Sequence, residues 1–255
     1  MPNQPSPPSR TACVAGIVFA MPVEADAFAA LARETVEYTT AAGRVGEGGG
    51  AGRRGAWRGW GAGGAAAARA TRLLIDGHRP GLILSAGFAG GLTPAVGRGS
   101  VVHPRRVLSR TAGPPIELAT TGRGTGEGNL AIVSVDGVVT TAAAKHDLAT
   151  ATGASLVDME RYGVATAAVA AGLPCASIRV ISDDAAQDLP REIAALVQPQ
   201  SGMRRLGAAI GAIGRRPRAA LDMWQLWEHA VVDGRTLAAA IRSFLDGFLP
   251  GTTLR

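Results

Sequence analysis

Short apolar segments that alternate with helical patterns constrain the fold of this chain more than any other feature of its sequence. Each apolar segment has five to seven residues, many of them β-branched, which is typical of buried strands. The clearest ones lie at 14–20, 82–86, 130–135 and 176–181, and helical patterns follow at 22–32, 65–77, 140–150 and 159–171. Strands that alternate with helices predict an α/β domain with helices on both faces of a central sheet.

The length and composition of the chain fit a single domain. With 255 residues, 47% of them hydrophobic, the chain can bury one sizeable core. We predict a disordered tail at 1–12 and one domain at 13–255, which ends in a helical extension over about 200–255. The first residues lack the apolar segment of a signal peptide, and no stretch is long enough to span a membrane. These features predict a cytoplasmic protein.

The charge pattern does not indicate a nucleic-acid partner. The formal net charge is +6, but the positive residues are scattered and almost all Arg, with Lys145 as the only Lys. A nucleic-acid surface needs clustered positive charge, so we expect no such partner. The two Cys and four His show no spacing typical of a zinc site, and we expect neither a metal nor a cofactor.

Three acidic residues follow predicted strands at short distances: Glu24, Glu160 and Asp183. One such acid alone is usually a helix cap or a first-turn residue that complements the helix dipole. Ligands of α/β sheets bind beyond the carboxyl ends of the strands. Three acids at such positions of one sheet therefore favour a shared cleft.

A second candidate feature is the Gly-rich stretch at 43–64, which runs directly into the helical pattern at 65–77. A glycine turn that leads into a helix can hold an anion on backbone N–H groups. The stretch lacks the Lys and Ser or Thr of a P-loop. Tight packing explains the glycines equally well.

Four segments carry a resemblance to a known family, in the family's order: 16–24 (GIVFAMPVE), 81–92 (GLILSAGFAGGL) with 99–102, 152–160 (TGASLVDME) and 179–183 (RVISD). They resemble the nucleoside phosphorylase superfamily, which includes purine nucleoside phosphorylases and methylthioadenosine/S-adenosylhomocysteine nucleosidases. The resemblance covers about 14–185. It implies a three-layer αβα sandwich around a mixed, partly closed central sheet.

The resemblance also implies roles for the acids. In the nucleosidase branch, the residue that matches Glu24 activates the attacking water, and the one that matches Glu160 accepts hydrogen bonds from the ribose hydroxyls. The residue that matches Met159 packs against the sugar, and the one that matches Asp183 protonates the purine at N7. Asp184 is the alternative proton donor. The implied reaction is cleavage of the N-glycosidic bond of a purine nucleoside.

Further substrate contacts are implied by the same resemblance. Adenine is expected to meet the backbone near Val138 and Val139. A glycine turn is expected at 87–92, directly after Ala86, and Gly87 and its neighbours are expected to bring backbone close to the substrate. Phe88 stands where a Ser usually contacts phosphate or sugar, and it makes the sugar side more apolar.

The nucleophile is either water or phosphate. Phosphorylases of this superfamily hold phosphate with Arg residues; Ser85 stands in one such position, and 22–30 contains no Arg. A dianion without Arg or Lys lacks its usual partners, which favours water. Phosphate as a co-substrate stays open, because the Gly-rich stretch offers substitutes: Arg53, Arg54 and Arg58.

The substrate and the assembly each allow more than one interpretation. The segment 180–190 also resembles phosphorylase-like proteins associated with hopanoid biosynthesis, which act on an adenosylated lipid. An apolar stripe on the last helix belongs to the core, to a subunit contact or to a peripheral lipid contact: Leu221, Met223, Trp224, Leu226 and Trp227. A non-catalytic nucleoside-binding protein would require loss of the acids. Because relatives form dimers, trimers or hexamers, we expect a homo-oligomer.

Overall fold

The computed structural model of the protein describes residues 13–32, 35–40, 43–50, 53–59, 63–111, 113–119, 129–189 and 218–247. Their strands are β1 (Cys13–Phe19), β2 (Val36–Thr40), β3 (Gly43–Gly50), β4 (Arg53–Gly59), β5 (Ile83–Gly91), β6 (Val101–Val102), β7 (Arg106–Ser109), β8 (Ile116–Glu117), β9 (Ala131–Ser134), β10 (Leu156–Asp158) and β11 (Cys175–Asp183). Their helices are α1 (Pro22–Ala29), α2 (Gly64–His78), α3 (Ala142–Thr152), α4 (Arg161–Ala170) and α5 (Arg218–Gly247).

These strands form one mixed sheet with β5 at its centre. The order along the sheet is β2-β3-β4-β1-β5-β10-β9-β7-β8, and β11 pairs with both β5 and β6. One edge of β5 runs parallel to β11, whereas the other edge pairs first with β1, over Ile83 to Ala86, and then with β10, at Gly90 and Gly91. Residues 87–89 lie between these two pairings. At this break, the ends of β1, β10 and β11 lie beside the same segment of β5.

Helices cover both faces of the sheet, which produces three layers. Successive side chains of a strand point to opposite faces, so Ile83 and Leu84 of β5 enter different hydrophobic cores. One core packs the sheet against α2 and α4, for example through Leu74 and Val164. The other packs it against α1 and α5, for example through Phe28. The layers and the mixed sheet confirm the predicted fold class.

The long C-terminal helix supports the first helix, α1. Gly234 of α5 lies so close to α1 that an added Cβ would come within 3.2 Å of the Ala27 Cβ and 3.3 Å of the Val23 carbonyl oxygen. Within the predicted helical extension, the sequence pattern places a final helix at about 219–247, and α5 confirms it at the level of the backbone. The side chains of its predicted apolar stripe, at 221–227, lie outside the described residues. No described helix is long and apolar enough to cross a membrane.

Several sequence-based boundaries are wrong. Helix α1 ends at Ala29, so Leu31 and Ala32 lie beyond it. The turn expected at 87–92 is largely strand, because β5 continues to Gly91 while it pairs with β11. The Gly-, Thr- and Pro-rich composition of 110–128 predicts a loop, but the described residues there include the short strand β8, which extends the sheet beyond β7. The predicted tail at 1–12 and residues 190–217 lie outside the described residues, so the domain boundaries stay a prediction.

In the Gly-rich stretch at 43–64, residues 43–50 and 53–59 form strands, although glycine has a low strand propensity. Strands β3 and β4 pair antiparallel, and β4 pairs with β1. The indole of Trp57 covers Gly46 so closely that a Cβ there would overlap it. Trp57 is buried and also packs edge-on against Phe28 of α1. Tight packing therefore accounts for at least part of the glycine content.

Candidate active site

A cavity of about 240 Å³ lies where the ends of β1, β5, β10 and β11 meet. All three acids predicted from the sequence, Glu24, Glu160 and Asp183, line this cavity, and Asp158 lies beside them. The rest of its described wall is largely apolar and comprises Ala20, Met21, Phe88, Ala89, Gly90, Val135, Gly137, Val138, Val139, Val157, Met159, Ser182 and Leu189. The structure thus brings together acids that are 136 and 23 residues apart in the sequence.

Glu24 is held by three backbone N–H groups. Its Oε2 accepts hydrogen bonds from the N–H of Ala20 at 3.0 Å and of Met21 at 2.9 Å. Its Oε1 accepts one from the N–H of Phe88 at 2.9 Å, within the stretch of β5 that lies between its pairings with β1 and β10. The Glu24 carboxyl is buried, and burial raises its pKa.

Gly87 makes this position of Glu24 sterically accessible. A Cβ at residue 87 would lie 2.9 Å from Glu24 Oε1, which is closer than such atoms approach in proteins. Gly87 and Ala86 are both buried, but neither is among the residues that line the cavity. Their expected contact with a substrate therefore stays a prediction. The close backbone approach that the structure shows at Gly87 is to the Glu24 carboxyl group.

Glu160 reaches the glycine that precedes α2. Its Oε1 accepts a hydrogen bond of 3.2 Å from the N–H of Gly63, which has a φ of 113°. Only glycine adopts such a φ readily. Burial raises the pKa of Glu160 to about 7, helped by the negative charges of Asp158 and Glu24. The N-terminal end of α2 does hold an anionic group, as the Gly-rich stretch suggested, and that group is a side chain of the protein.

Strand β10, which precedes Glu160, runs in the opposite direction to the strands that precede Glu24 and Asp183. Strand β10 is antiparallel to β5, whereas β1 and β11 are parallel to it. Glu160 reaches the cavity because β10 pairs with the last residues of β5 and continues back towards Phe88. The expectation of a shared cleft is confirmed, but the equivalence of the three strand ends is wrong.

Asp183 ends β11 and is held from both sides. Its Oδ2 forms an ion pair of 2.6 Å with the Nζ of Lys145, and its Oδ1 lies 2.6 Å from the Oγ of Ser182. Asp184 points elsewhere, since its Oδ1 accepts a hydrogen bond of 2.5 Å from the N–H of Arg98. Of the two acids considered as proton donors, only Asp183 lines the cavity.

Two buried arginines lie beneath the cavity. The Arg179 guanidinium donates to Asp158 Oδ2 at 2.9 Å, and to the backbone oxygen and Oγ of Ser85 at 2.9 and 3.0 Å. Arg161 donates to the backbone oxygens of Ser85 at 3.1 Å and Ala176 at 2.9 Å. Burial and the charge of Arg179 lower the pKa of Arg161 to about 9. These cations bind internal acceptors, and the described wall of the cavity contains no Arg, Lys or His.

Comparison with protein families identifies the superfamily. A family model for the phosphorylase superfamily matches residues 14–127 and 129–209, which is more than half of the chain. The chain belongs to the phosphorylase superfamily. This membership confirms the predicted superfamily and the predicted enzyme class, nucleosidase or nucleoside phosphorylase. Among curated proteins, none matches the chain.

Solved structures share the fold of this phosphorylase-superfamily protein. They include the Helicobacter pylori 5′-methylthioadenosine/S-adenosylhomocysteine nucleosidase, with 18% identity, a TM-score of 0.71, and coverage of 94% of this chain and 100% of that chain. The futalosine hydrolase of the same organism has 17% identity, a TM-score of 0.71, and coverage of 94% and 100%. The Streptococcus pyogenes S-adenosylhomocysteine nucleosidase has 18% identity, a TM-score of 0.71, and coverage of 94% and 98%.

Three polar residues of this phosphorylase-superfamily site were not predicted: Lys145, Asp158 and Arg179. Asp158 and Arg179 lie inside the two most specific motifs, LVDME and RVISD, in which the resemblance implies roles only for their neighbours. Lys145 is the single Lys of an Arg-rich chain, and that rarity was its only signal. Among the Arg residues proposed for phosphate, Arg58 is buried and absent from the described wall. The side chains of Arg53 and Arg54 lie outside the described residues.

The raised pKa of Glu160 predicts how the stability of the protein depends on pH. Folded protein keeps the Glu160 proton up to about pH 7, whereas the unfolded chain loses it near the ordinary value of 4.5. Between these values the folded state binds more protons, so this group lowers the free energy of unfolding as pH rises. Glu160→Gln removes that loss. The free energy of unfolding of the variant, relative to the wild type, should therefore increase from pH 5 to pH 8.

Urea denaturation at pH 5, 6, 7 and 8 measures this difference. Asp147→Asn, at an exposed position of α3, is the matched control and should give a difference that hardly changes with pH. A Glu160→Gln difference that stays constant, or decreases with pH, would show that the fold does not raise the pKa of Glu160.

Proposed function

We propose that this protein hydrolyses the N-glycosidic bond of a purine nucleoside, a 5′-substituted adenosine, and releases the base. The observation that carries the proposal is the convergence of Glu24, Glu160 and Asp183 on one largely apolar cavity of about 240 Å³. Three carboxyl groups are costly to bury together. Each is oriented by polar partners: backbone N–H groups hold Glu24 and Glu160, and Lys145 and Ser182 hold Asp183. Such a site has the groups needed to bind a diol, activate water and protonate a leaving group.

Glu160 is proposed to bind the sugar. A carboxylate can accept hydrogen bonds from both hydroxyls of a ribose diol. The bond from the Gly63 N–H occupies Oε1 only in part, because a carboxylate oxygen accepts more than one hydrogen bond. Met159 lies next to Glu160 on the wall and supplies apolar surface for the sugar ring. Phe88, on the opposite segment, adds further apolar surface.

Glu24 and Asp183 are proposed to carry the proton transfers. The raised pKa of Glu24 suits a group that takes a proton from water as the water attacks C1′. Asp183 delivers a proton to N7 of the purine, which lowers the charge on the departing base. The sugar becomes oxocarbenium-like as the bond breaks, and the nearby carboxylates favour that positive charge. Val138 and Val139 border the same cavity and are proposed to meet the base.

Water is favoured over phosphate by the way in which Glu24 is bound. The N–H groups of Ala20, Met21 and Phe88 converge as an anion-binding set does, and the Glu24 carboxylate already accepts from all three. A phosphate there would have to displace a carboxylate or lie beside its charge. No cation on the described wall would offset the repulsion. These contacts support hydrolysis.

The 5′-substituent is supported by the apolar wall and by the names of the structural neighbours. Two of the neighbours are named for 5′-methylthioadenosine or S-adenosylhomocysteine, and both of these compounds carry a substituent at the 5′ position. Met21 and Phe88 offer apolar surface for such a group. A lipid-like substituent receives no support from the described residues, because the side chains of the apolar stripe at 221–227 are not among them. The cytoplasmic location and the homo-oligomer stay predictions.

Adenine release from 5′-substituted adenosines tests the proposed reaction. The protein is incubated with 5′-methylthioadenosine, S-adenosylhomocysteine and adenosine, with and without phosphate, and the sugar product is identified by mass. We expect adenine and a free 5′-substituted pentose at a rate independent of phosphate. A phosphate-dependent rate with a pentose 1-phosphate as product would establish phosphorolysis, and no release from any nucleoside would remove the proposal.

The two adjacent acids at the end of β11 are distinguished by substitution. Asp183→Asn should lower adenine release by at least about 10²-fold, because a general acid is lost, and should leave nucleoside binding largely intact. Asp184→Asn is the matched control: its side-chain oxygen can still accept from the Arg98 N–H, so release should stay within about threefold of the wild type. Calorimetric binding and single-turnover rates measure both effects. The reverse pattern would make Asp184 the proton donor.

A further inference from the structure

Lys145 lies on helix α3, and its buried ammonium group contacts the end of β11 and the residues that follow it. Its side chain has no exposed surface, and lysine is almost never fully buried unless its charge is paired. The three N–H bonds of its ammonium group meet three acceptors: Asp183 Oδ2 at 2.6 Å, the Asp184 carbonyl at 2.7 Å and the Gln187 carbonyl at 2.9 Å. The positive charge is therefore fully directed at the end of β11 and the segment that follows.

The same segment forms part of the cavity wall. Leu189 lines the cavity, and its N–H donates to the Thr140 carbonyl at 2.7 Å. Asp188 Oδ1 accepts from the N–H of Ala142, in the first turn of α3, at 2.7 Å. With the bonds from Lys145, these contacts fasten residues 184–189 to the start of α3. The wall and the acid Asp183 thus share one anchor.

The surroundings of Asp183 satisfy the carboxyl group in both of its protonation states. Ser182 Oγ lies 2.6 Å from Asp183 Oδ1 and 3.2 Å from the Ala89 carbonyl. When Asp183 is ionised, Ser182 donates to it. When Oδ1 carries a proton, that proton can go to Ser182 Oγ while Ser182 donates to Ala89. Lys145 holds Oδ2, so Oδ1 is the oxygen that contacts Ser182 and stays available for a proton.

We propose that Lys145 is a positioning residue for leaving-group protonation: it fixes the Asp183 carboxyl group through Oδ2 and anchors the wall segment that follows β11. This inference rests on the proposed hydrolysis. As the C1′–N9 bond breaks, its electron pair passes to the base and N7 takes the proton. That proton is one that Asp183 Oδ1 has taken up from solvent; when the Oδ1–H bond breaks, its electron pair stays on the carboxylate, which remains 2.6 Å from the ammonium group. Water adds to C1′ and gives its proton to Glu24, and both carboxyl groups return to their starting states by exchange with solvent.

A leaving group that needs no proton isolates this role. Lys145→Met keeps the length of the side chain and removes its charge. We expect it to lower the turnover number for 5′-methylthioadenosine by about 10²-fold, as loss of assistance to a general acid does. The corresponding 5′-methylthio p-nitrophenyl riboside releases a stable anion, and its turnover should fall by no more than about threefold. Asp147→Asn, on an exposed turn of the same helix, should leave both rates unchanged.

Two outcomes overturn the inference. Equal losses on both substrates would mean that Lys145 only maintains the structure, and full turnover of both substrates would mean that it has no role. If the wild type cleaves neither substrate, the proposed function itself fails, which is a separate result.

A double variant keeps the test valid if the single variant folds poorly. Lys145→Met combined with Asp183→Asn removes both charges and leaves no unpaired ion. If Lys145 acts through Asp183, the double variant should release adenine as slowly as Asp183→Asn alone, because the two residues act as one unit. A further loss of 10-fold or more in the double variant would show that Lys145 acts independently of Asp183.

Discussion

The site depends on a break in the pairing of the central strand. One edge of β5 pairs with β1 up to Ala86 and with β10 from Gly90, and the residues between leave the Phe88 N–H free to bind Glu24. Glu24 joins this position to the turn after β1 through two more backbone N–H groups. A buried carboxylate needs such partners, since burial without them is costly. The absence of a side chain at Gly87 and the close packing of α5 on α1 both serve to keep Glu24 at this place.

The charges around the cavity are arranged in two layers. Carboxyl groups lie on the wall, whereas the cations lie behind it: Arg179 binds Asp158, and Lys145 binds Asp183. Burial raises the pKa of Glu24 in spite of its backbone hydrogen bonds and the charge of Arg179. Burial and the charges of Asp158 and Glu24 raise the pKa of Glu160. This arrangement leaves carboxyl groups, and no cation, on the described wall of a largely apolar cavity. Such a wall favours a sugar that becomes positively charged, and it disfavours an anionic nucleophile.

The sequence was sufficient for the main strands, for the family and for the three acids, because each of these depends on local patterns or on compact motifs. It was not sufficient for features that depend on distant partners. The strands β3 and β4 have poor strand propensity, and they form because Trp57 packs on Gly46 and β4 pairs with β1. Lys145 lies in an Ala-rich helix whose sequence does not reveal that its partners are the end of β11 and residues 184–187. The direction of β10 could not be inferred either, because it depends on where that strand joins the sheet.

The most direct test of this account is a crystal structure of the protein with an unreactive 5′-substituted adenosine analogue. We predict one ligand that touches all three acids, with both ribose hydroxyls on Glu160, the purine N7 on Asp183, and C1′ facing Glu24. A ligand that binds outside this cavity, or that leaves Glu24 or Asp183 without any contact to the ligand or to a water at C1′, would contradict the account.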